Sequence, residues 1–415
     1  MRIAFVHPFM ITPGGSEYIT KWLCDQLASD GHQVTLFTMG YDETIFGSPN
    51  GKFAVLNLLP QRLTTVSART AIRSCVFAAK RLAKDAPHFD CIIAHIFPAT
   101  LWCHWARNFQ PYFPPVIWLC QEPPRFLHWR MLDFNYRQRF PVRPIRLFID
   151  CLHESRRLIL GRLPAYLLRS LDIMAVSRLT GIIANSRFTA ETVQRVYRRS
   201  ALVCHLGVPV NHSFEFGERV IHSDQAELLY VGRLSKHKNI DMLIRGFEAA
   251  SLPPQWHLRL IGLPDKKWQR ALYQLVDRLR LKDRVIFSGM IPSYDHIMDA
   301  YQKAYAVVYL PLDEPFGLVP LEAGVNGRCV VVSDHGGPAE LVTNGYDGLT
   351  VNPLSVPAIA AALSKIASSY DTAMRMGVNW RNKVLNNYTV KHFADRFLQL
   401  LNALVTQSAT VHTLQ

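Results

Sequence analysis

Residues 314–322 read Glu314-Pro315-Phe316-Gly317-Leu318-Val319-Pro320-Leu321-Glu322, two carboxylates eight positions apart with glycine and proline between them. They follow an apolar run, Ala306-Val307-Val308-Tyr309-Leu310, that reads as a buried strand. Pro320 suits the first turn of a helix, where a missing N–H costs nothing. The nonapeptide is therefore a strand-to-helix junction, with Glu314 in the loop and Glu322 early in the helix. The amides of Phe316, Gly317 and Leu318 then face whatever precedes the helix N-terminus, a place that favours an anion such as phosphate. A carboxylate beside them can hold sugar hydroxyls. Amides for phosphate and a glutamate for hydroxyls fit a nucleotide sugar. The plainer alternative is a solvated loop whose helix-start glutamate is favoured by the dipole alone.

A second group lies upstream. Glu227–Val231 reads as a strand, and Gly232-Arg233-Leu234-Ser235-Lys236-His237-Lys238-Asn239 as the loop behind it. Arg233 and Lys238 can neutralise a diphosphate and stabilise its charge as it departs. Further strands are expected at 257–262, 285–288, 306–310 and 329–333, with helices between. Gly336-Gly337 should open a short helix at Pro338.

The first half follows the same plan. Strands are expected at 2–7, 33–38, 91–95, 116–120 and 181–185, the first followed by the turn Thr12-Pro13-Gly14-Gly15. Ser16 is the candidate cap of the first helix, and Gly31 its stop. Gly14 and Gly15 permit close backbone approach to an anion. Alternation of strands and helices in both halves predicts two parallel-sheet α/β domains, with ligand at the carboxyl ends of the strands.

The nonapeptide resembles the Glu-x7-Glu signature of retaining glycosyltransferases of family 4, and the resemblance covers nearly the whole chain, most specifically residues 227–350. The resemblance implies an α/β GT-B fold: two Rossmann-like parallel-sheet domains facing a central cleft. It assigns residues 1–208 to an acceptor-side domain and 209–387 to a nucleotide-sugar domain, with a C-terminal helix over 388–410 packing back on the first. Arg233 and Lys238 would hold the donor diphosphate. Glu314 would orient the transferred sugar, Glu322 would grip the ribose, and Phe316, Gly317 and Leu318 would complete the donor site. Gly14 and Gly15 would abut the donor phosphates and the acceptor. Gly336-Gly337-Pro338 points toward GDP-mannose over a UDP-sugar, and hence toward a mannosyltransferase. Gln121 and Glu122 would lie on the acceptor side. Many relatives carry histidine at the Gln121 position, and glutamine does not titrate, which weakens any general base there. The family's front-face chemistry does not require one, since the leaving phosphate can take the acceptor proton. His7 and His95, each at a strand end, read as structural.

Composition narrows the remainder. The chain has 415 residues, 49% hydrophobic and 19% charged, a globular balance. Eight cysteines are scattered with no Cys-x-x-Cys pair, and no Asp-x-Asp occurs, so no metal cofactor is expected. No apolar run has the length of a membrane span, and Met1–Val6 lacks a signal-peptide core; a cytoplasmic protein is expected. Net charge is +14, and residues 125–178 carry eleven arginines, no lysine and four acidic residues, half of that excess. Arginines interleaved with aromatics suit an anionic membrane surface. The expected partners are thus a nucleotide sugar, a lipid-linked or saccharide acceptor, and the inner face of a membrane, without nucleic acid. Two other readings stay open: a GT-B epimerase or hydrolase that needs no acceptor, and a non-enzymatic anion binder.

Overall fold

The computed structural model describes residues 1–49, 51–59, 74–132, 165–210, 226–291 and 293–413. They form two compact units. One comprises described residues of 1–206 together with 390–413, the other those of 207–389.

The first unit holds a seven-stranded sheet: β1 Arg2–Val6, β2 Gln33–Thr38, β3 Ala54–Asn57, β4 Cys91–Ala94, β5 Val116–Cys120, β6 Gly181–Ala184 and β7 Leu202–Val203. Their order is β3-β2-β1-β4-β5-β6-β7 and every pairing is parallel. The central strands are buried along their whole length, as a parallel sheet covered on both faces requires. The helix Val390–Thr413 belongs to this unit and buries Phe393, Phe397 and Leu401. A Cβ on Gly181 would lie 2.6 Å from Leu404 of that helix, so a glycine at the start of β6 lets it approach.

The second unit is six-stranded: β8 Ala226–Val231, β9 Trp256–Ile261, β10 Val285–Gly289, β11 Ala306–Tyr309, β12 Cys329–Ser333 and β13 Leu349–Val351. The order is β10-β9-β8-β11-β12-β13, again all parallel. Each unit has its own apolar core, one around Phe37, Leu82 and Trp102, the other around Tyr230, Phe247 and Val308. Two parallel Rossmann-like sheets give the GT-B architecture.

One local expectation is corrected. The helix Gly15–Ser29 is capped by Gly14, not by Ser16, and no side chain caps it. Ser16 Oγ instead donates to Glu17 Oε2 at 2.8 Å. Gly31 takes the left-handed φ of 88° that ends this helix.

Most of the arginine-rich stretch, 133–164, including Arg137, Arg139, Arg143 and Arg146, lies outside the described residues, as do linker positions 211–225. The described ends of the stretch, Arg125–Leu132 and Ala165–Ser177, are helices. They are joined by buried His128 Nε2 and Asp172 Oδ2 at 2.8 Å. Among the described residues no helix is long and apolar enough to cross a membrane.

Candidate active site

Three loops at the carboxyl ends of the adjacent strands β8, β11 and β12 build the centre of the second unit. The loop after β8 begins with Gly232 at φ 134°, nested against the turn after β9: a Cβ on Gly262 would lie 2.0 Å from the Gly232 carbonyl oxygen. Buried Tyr230, in β8, donates from its hydroxyl to the Arg233 carbonyl at 3.1 Å and holds the turn down. The Arg233 side chain is exposed, and its guanidinium has no hydrogen bond or ion pair among the described residues. The loop ends in a short 3-10 turn, Lys236–Lys238, before the helix Ile240–Ala249.

The β8 and β11 loops are locked together. Leu312 N–H donates to the His237 carbonyl at 2.7 Å. Lys238 Nζ lies 2.6 Å from Glu314 Oε2 and donates to Tyr309 Oη at 3.0 Å. Tyr309 stacks on Tyr230 with ring centroids 6.1 Å apart. Lys238 and Glu314, distant in sequence, are thus an ion pair on an aromatic floor. Both side chains are about four-fifths buried, so removing either partner would leave the other's charge largely desolvated and uncompensated.

The third loop explains the Gly336-Gly337 pair. Gly336 sits at φ 82°, and a Cβ there would lie 2.6 Å from the Glu314 carbonyl oxygen. A Cβ on Gly337 would lie 2.3 Å from both Phe316 Cα and the Pro315 carbonyl oxygen. Gly337 N–H donates to the Glu314 carbonyl at 2.8 Å. Only two glycines let the β12 turn press on the Glu314–Phe316 backbone this closely.

The helix after Glu314 runs Leu318–Val325 with Gly317 as its cap at φ 94°. Its first amides lack intrahelical acceptors. Trp380 Nε1 donates to the Pro320 carbonyl at 2.7 Å and pins the helix from behind. Glu322 is the fifth residue of this helix. Its Oε2 accepts from the buried Tyr301 hydroxyl at 2.8 Å, and burial raises its pKa to about 6, opposed by the Tyr301 and Tyr294 hydroxyls. The structure therefore brings Lys238, Glu314 and the Phe316–Leu318 amides into one cluster. Arg233 stands on the same loop as Lys238, and Glu322 lies a turn along the helix. Among the described residues no cluster of three or more His, Cys, Asp or Glu side chains is arranged to hold a metal ion.

The remaining candidates lie in the first unit. Gly14 and Gly15 follow β1 at the start of the helix Gly15–Ser29. The carboxylate that closes on Gly14 is this chain's own Glu17: a Cβ on Gly14 would lie 2.4 Å from Glu17 Oε2. Burial raises the Glu17 pKa. Gln121 and Glu122 follow β5. Asn185 Nδ2 donates to the Gln121 carbonyl at 2.9 Å and to Oε1 at 3.2 Å, while Gln121 Nε2 is buried without a hydrogen-bond partner. Glu122 pairs with Arg125.

Sequence reasoning missed Tyr309, Tyr301 and Glu17. Tyr309 ends an apolar run and reads there as core. Tyr301 sits on an amphipathic helix, where nothing separates it from packing. Glu17 carries a signal, a carboxylate in a helix first turn next to two glycines, that was read only as anion-accepting backbone.

Comparison with known proteins agrees with this geometry. The model described as Glycosyltransferase Family 4 matches residues 13–212, and that described as Glycosyl transferases group 1 matches residues 212–383. An uncharacterized glycosyltransferase of Methanocaldococcus jannaschii is 29% identical over 418 residues, covering 95% of this chain and 96% of that protein. The O-antigen chain mannosyltransferase of Salmonella typhimurium is 32% identical over 181 residues, 43% of this chain and 47% of its own length, so the match spans about half of that relative. Among solved structures, a sucrose-phosphate synthase of Thermosynechococcus elongatus superposes with a TM-score of 0.76 at 21% identity, over 98% of this chain and 99% of that one. The two family models meet end to end on the two parallel-sheet units, and the chain belongs to glycosyltransferase family 4.

Proposed function

We propose that this glycosyltransferase moves a hexose, mannose, from GDP-mannose to a lipid-linked or polysaccharide-precursor acceptor, with retention at the transferred carbon. The observation that carries the reading is the Lys238–Glu314 pair, 2.6 Å apart beside the amides that open the helix Leu318–Val325. Lys238 and Arg233 supply positive charge for the departing diphosphate, where a preorganised charge acts most strongly. The reading needs no metal for that task. The Phe316, Gly317 and Leu318 amides take phosphate oxygens at the helix N-terminus. Glu314, oriented by Lys238, accepts from the sugar hydroxyls, and Glu322 accepts from the ribose. Gly14 and Gly15 serve the donor phosphates and border the acceptor, and Gln121 and Glu122 face the acceptor side, where the buried Gln121 amide nitrogen offers a hydrogen-bond donor. Mannose and a polysaccharide-type acceptor are supported by the likeness to the O-antigen chain mannosyltransferase and by Gly336-Gly337-Pro338. A UDP-sugar is the second donor to try. Work at the inner membrane face belongs to the same proposal and rests on the arginine content of residues 125–178.

The test is transfer of radiolabelled mannose from GDP-mannose in the presence of a membrane extract. Label should enter an extractable lipid or oligosaccharide with wild type and not with Glu314→Ala. Release of free mannose that ignores the extract would favour the hydrolase reading.

A further inference from the structure

His7 directly follows β1 and His95 directly follows β4. The two strands are neighbours, with Val6 opposite Ala94. Both side chains are fully buried, with ring centroids 5.5 Å apart and planes tilted by 52°. Each ring has one nitrogen with a partner and one, Nε2, buried without any.

The partners fix the protons. Phe9 N–H donates to His7 Nδ1 at 3.4 Å, so Nδ1 is the bare nitrogen and Nε2 carries hydrogen. His95 Nδ1 lies 3.2 Å from Thr20 Oγ1, and the single hydroxyl proton of Thr20 goes to the Ser16 carbonyl at 2.8 Å. Thr20 therefore accepts from His95 Nδ1–H, which leaves His95 Nε2 as a lone pair. The two unpartnered atoms are complementary, one donor and one acceptor. Burial holds both rings neutral, with His7 lowered to about 3. Buried polar atoms of this kind are met by an ordered water with two or more protein partners.

We propose that His7 and His95 jointly bind one internal water molecule and that His95 is a positioning residue for the Gly14–Gly15 turn. The link runs from the end of β4 through His95 Nδ1–H to Thr20, and from Thr20 to the Ser16 carbonyl in the first turn of the helix Gly15–Ser29. Trp118 Nε1 donates to the His95 carbonyl at 2.7 Å and fixes that residue from β5. The water closes the His7 side of the chain. The role of the turn in transfer rests on the function proposed above; the paired histidines and their water do not.

Two measurements on the full chain test it. Long-range nitrogen–proton spectra of histidine-labelled protein should show hydrogen on Nε2 of His7 and on Nδ1 of His95. The His7 proton should show cross-relaxation to a slowly exchanging water. Hydrogen on the same nitrogen of both rings, or no water signal, would overturn the proposal. In transfer assays His95→Asn, whose amide can still donate to Thr20, should keep activity within about threefold of wild type. His95→Phe should lose about tenfold in kcat/KM. Equal loss in both variants would refute the positioning role. Should wild type transfer nothing, the function reading fails, and the spectra still decide the pair.

Discussion

Lys238 and Arg233, the two cations of the proposed donor site, differ in burial. Lys238 is held by Glu314 and Tyr309, whereas Arg233 keeps an exposed guanidinium on a turn fixed by Tyr230. Both should matter most as the diphosphate leaves, so Lys238→Ala and Arg233→Ala should each slow transfer at least about a hundredfold, roughly 3–4 kcal/mol of barrier. Steady-state rates on folded variants check this, and near-normal turnover in either would remove that residue from the site. Glu322 makes a prediction in pH. Its folded pKa of about 6 lies above the ordinary carboxylate value, so the folded chain holds that proton more tightly than the unfolded one. Its contribution therefore makes the fold less stable as pH rises through about 6 and more stable as pH falls, the reverse of a salt-bridged glutamate. The ribose contact proposed for Glu322 should run the opposite way, because the ionised carboxylate is the better acceptor. Nucleotide affinity should weaken as pH drops through about 6, and Glu322→Gln should abolish that slope. At neutral pH the variant should lose about 1.5–3 kcal/mol of binding. Calorimetry showing an unchanged slope and affinity would place Glu322 outside the site.

At the scale of elements, the site is a consequence of glycines that let loops touch. Gly337 leaves no room for a methyl group against Phe316 and Pro315. Gly337→Ala should cost about 1–3 kcal/mol by overpacking, and by displacing the Glu314–Phe316 backbone it should weaken nucleotide binding as well. A denaturation midpoint and a nucleotide titration on one preparation would separate the two effects; unchanged values in both would show that the close approach is unimportant. Such contacts also mark the limit of what sequence discloses. Strands such as Cys329–Ser333 are legible because a central parallel strand is apolar on both faces. Ala54–Asn57, Leu202–Val203 and Leu349–Val351 are sheet-edge strands of two to four residues, too short for any periodicity to declare them. Arg233, Lys238 and Glu314 could be named from motif spacing. That Lys238 and Glu314 form a pair over Tyr309 could not, because strand order sets it. Gly14 carries a further contact of this kind, the carboxylate of Glu17 three residues on, which the sequence reading did not name.

For the molecule as a whole, the C-terminal helix Val390–Thr413 belongs to the unit formed by the start of the chain. Phe397 lies with its ring 6.3 Å from that of Phe5 in β1. Phe397→Ala should destabilise that unit by about 3–5 kcal/mol, visible as an early unfolding step in a thermal scan, and a single unshifted transition would contradict it. The charge excess makes a separate prediction. Eleven arginines within residues 125–178 should bind vesicles of anionic lipid, at about 1 kcal/mol per basic residue near the surface. Added salt should weaken that attachment. Replacing Arg137, Arg139, Arg143 and Arg146 with serine should release the chain from vesicles and leave nucleotide binding intact. Failure of wild type to sediment with anionic vesicles at low salt would make a soluble acceptor the better choice. The donor site itself is tested most directly by thermal scans of wild type and of an Arg233→Ala/Lys238→Ala double variant with GDP, UDP and their sugars. A ligand at about a hundred times its dissociation constant stabilises by roughly 2.7 kcal/mol. GDP and GDP-mannose should raise the wild-type transition by a corresponding margin, UDP should raise it less, and the double variant should respond to none at the same concentrations. A wild type indifferent to every nucleotide, or a double variant that responds as fully as wild type, would contradict the account.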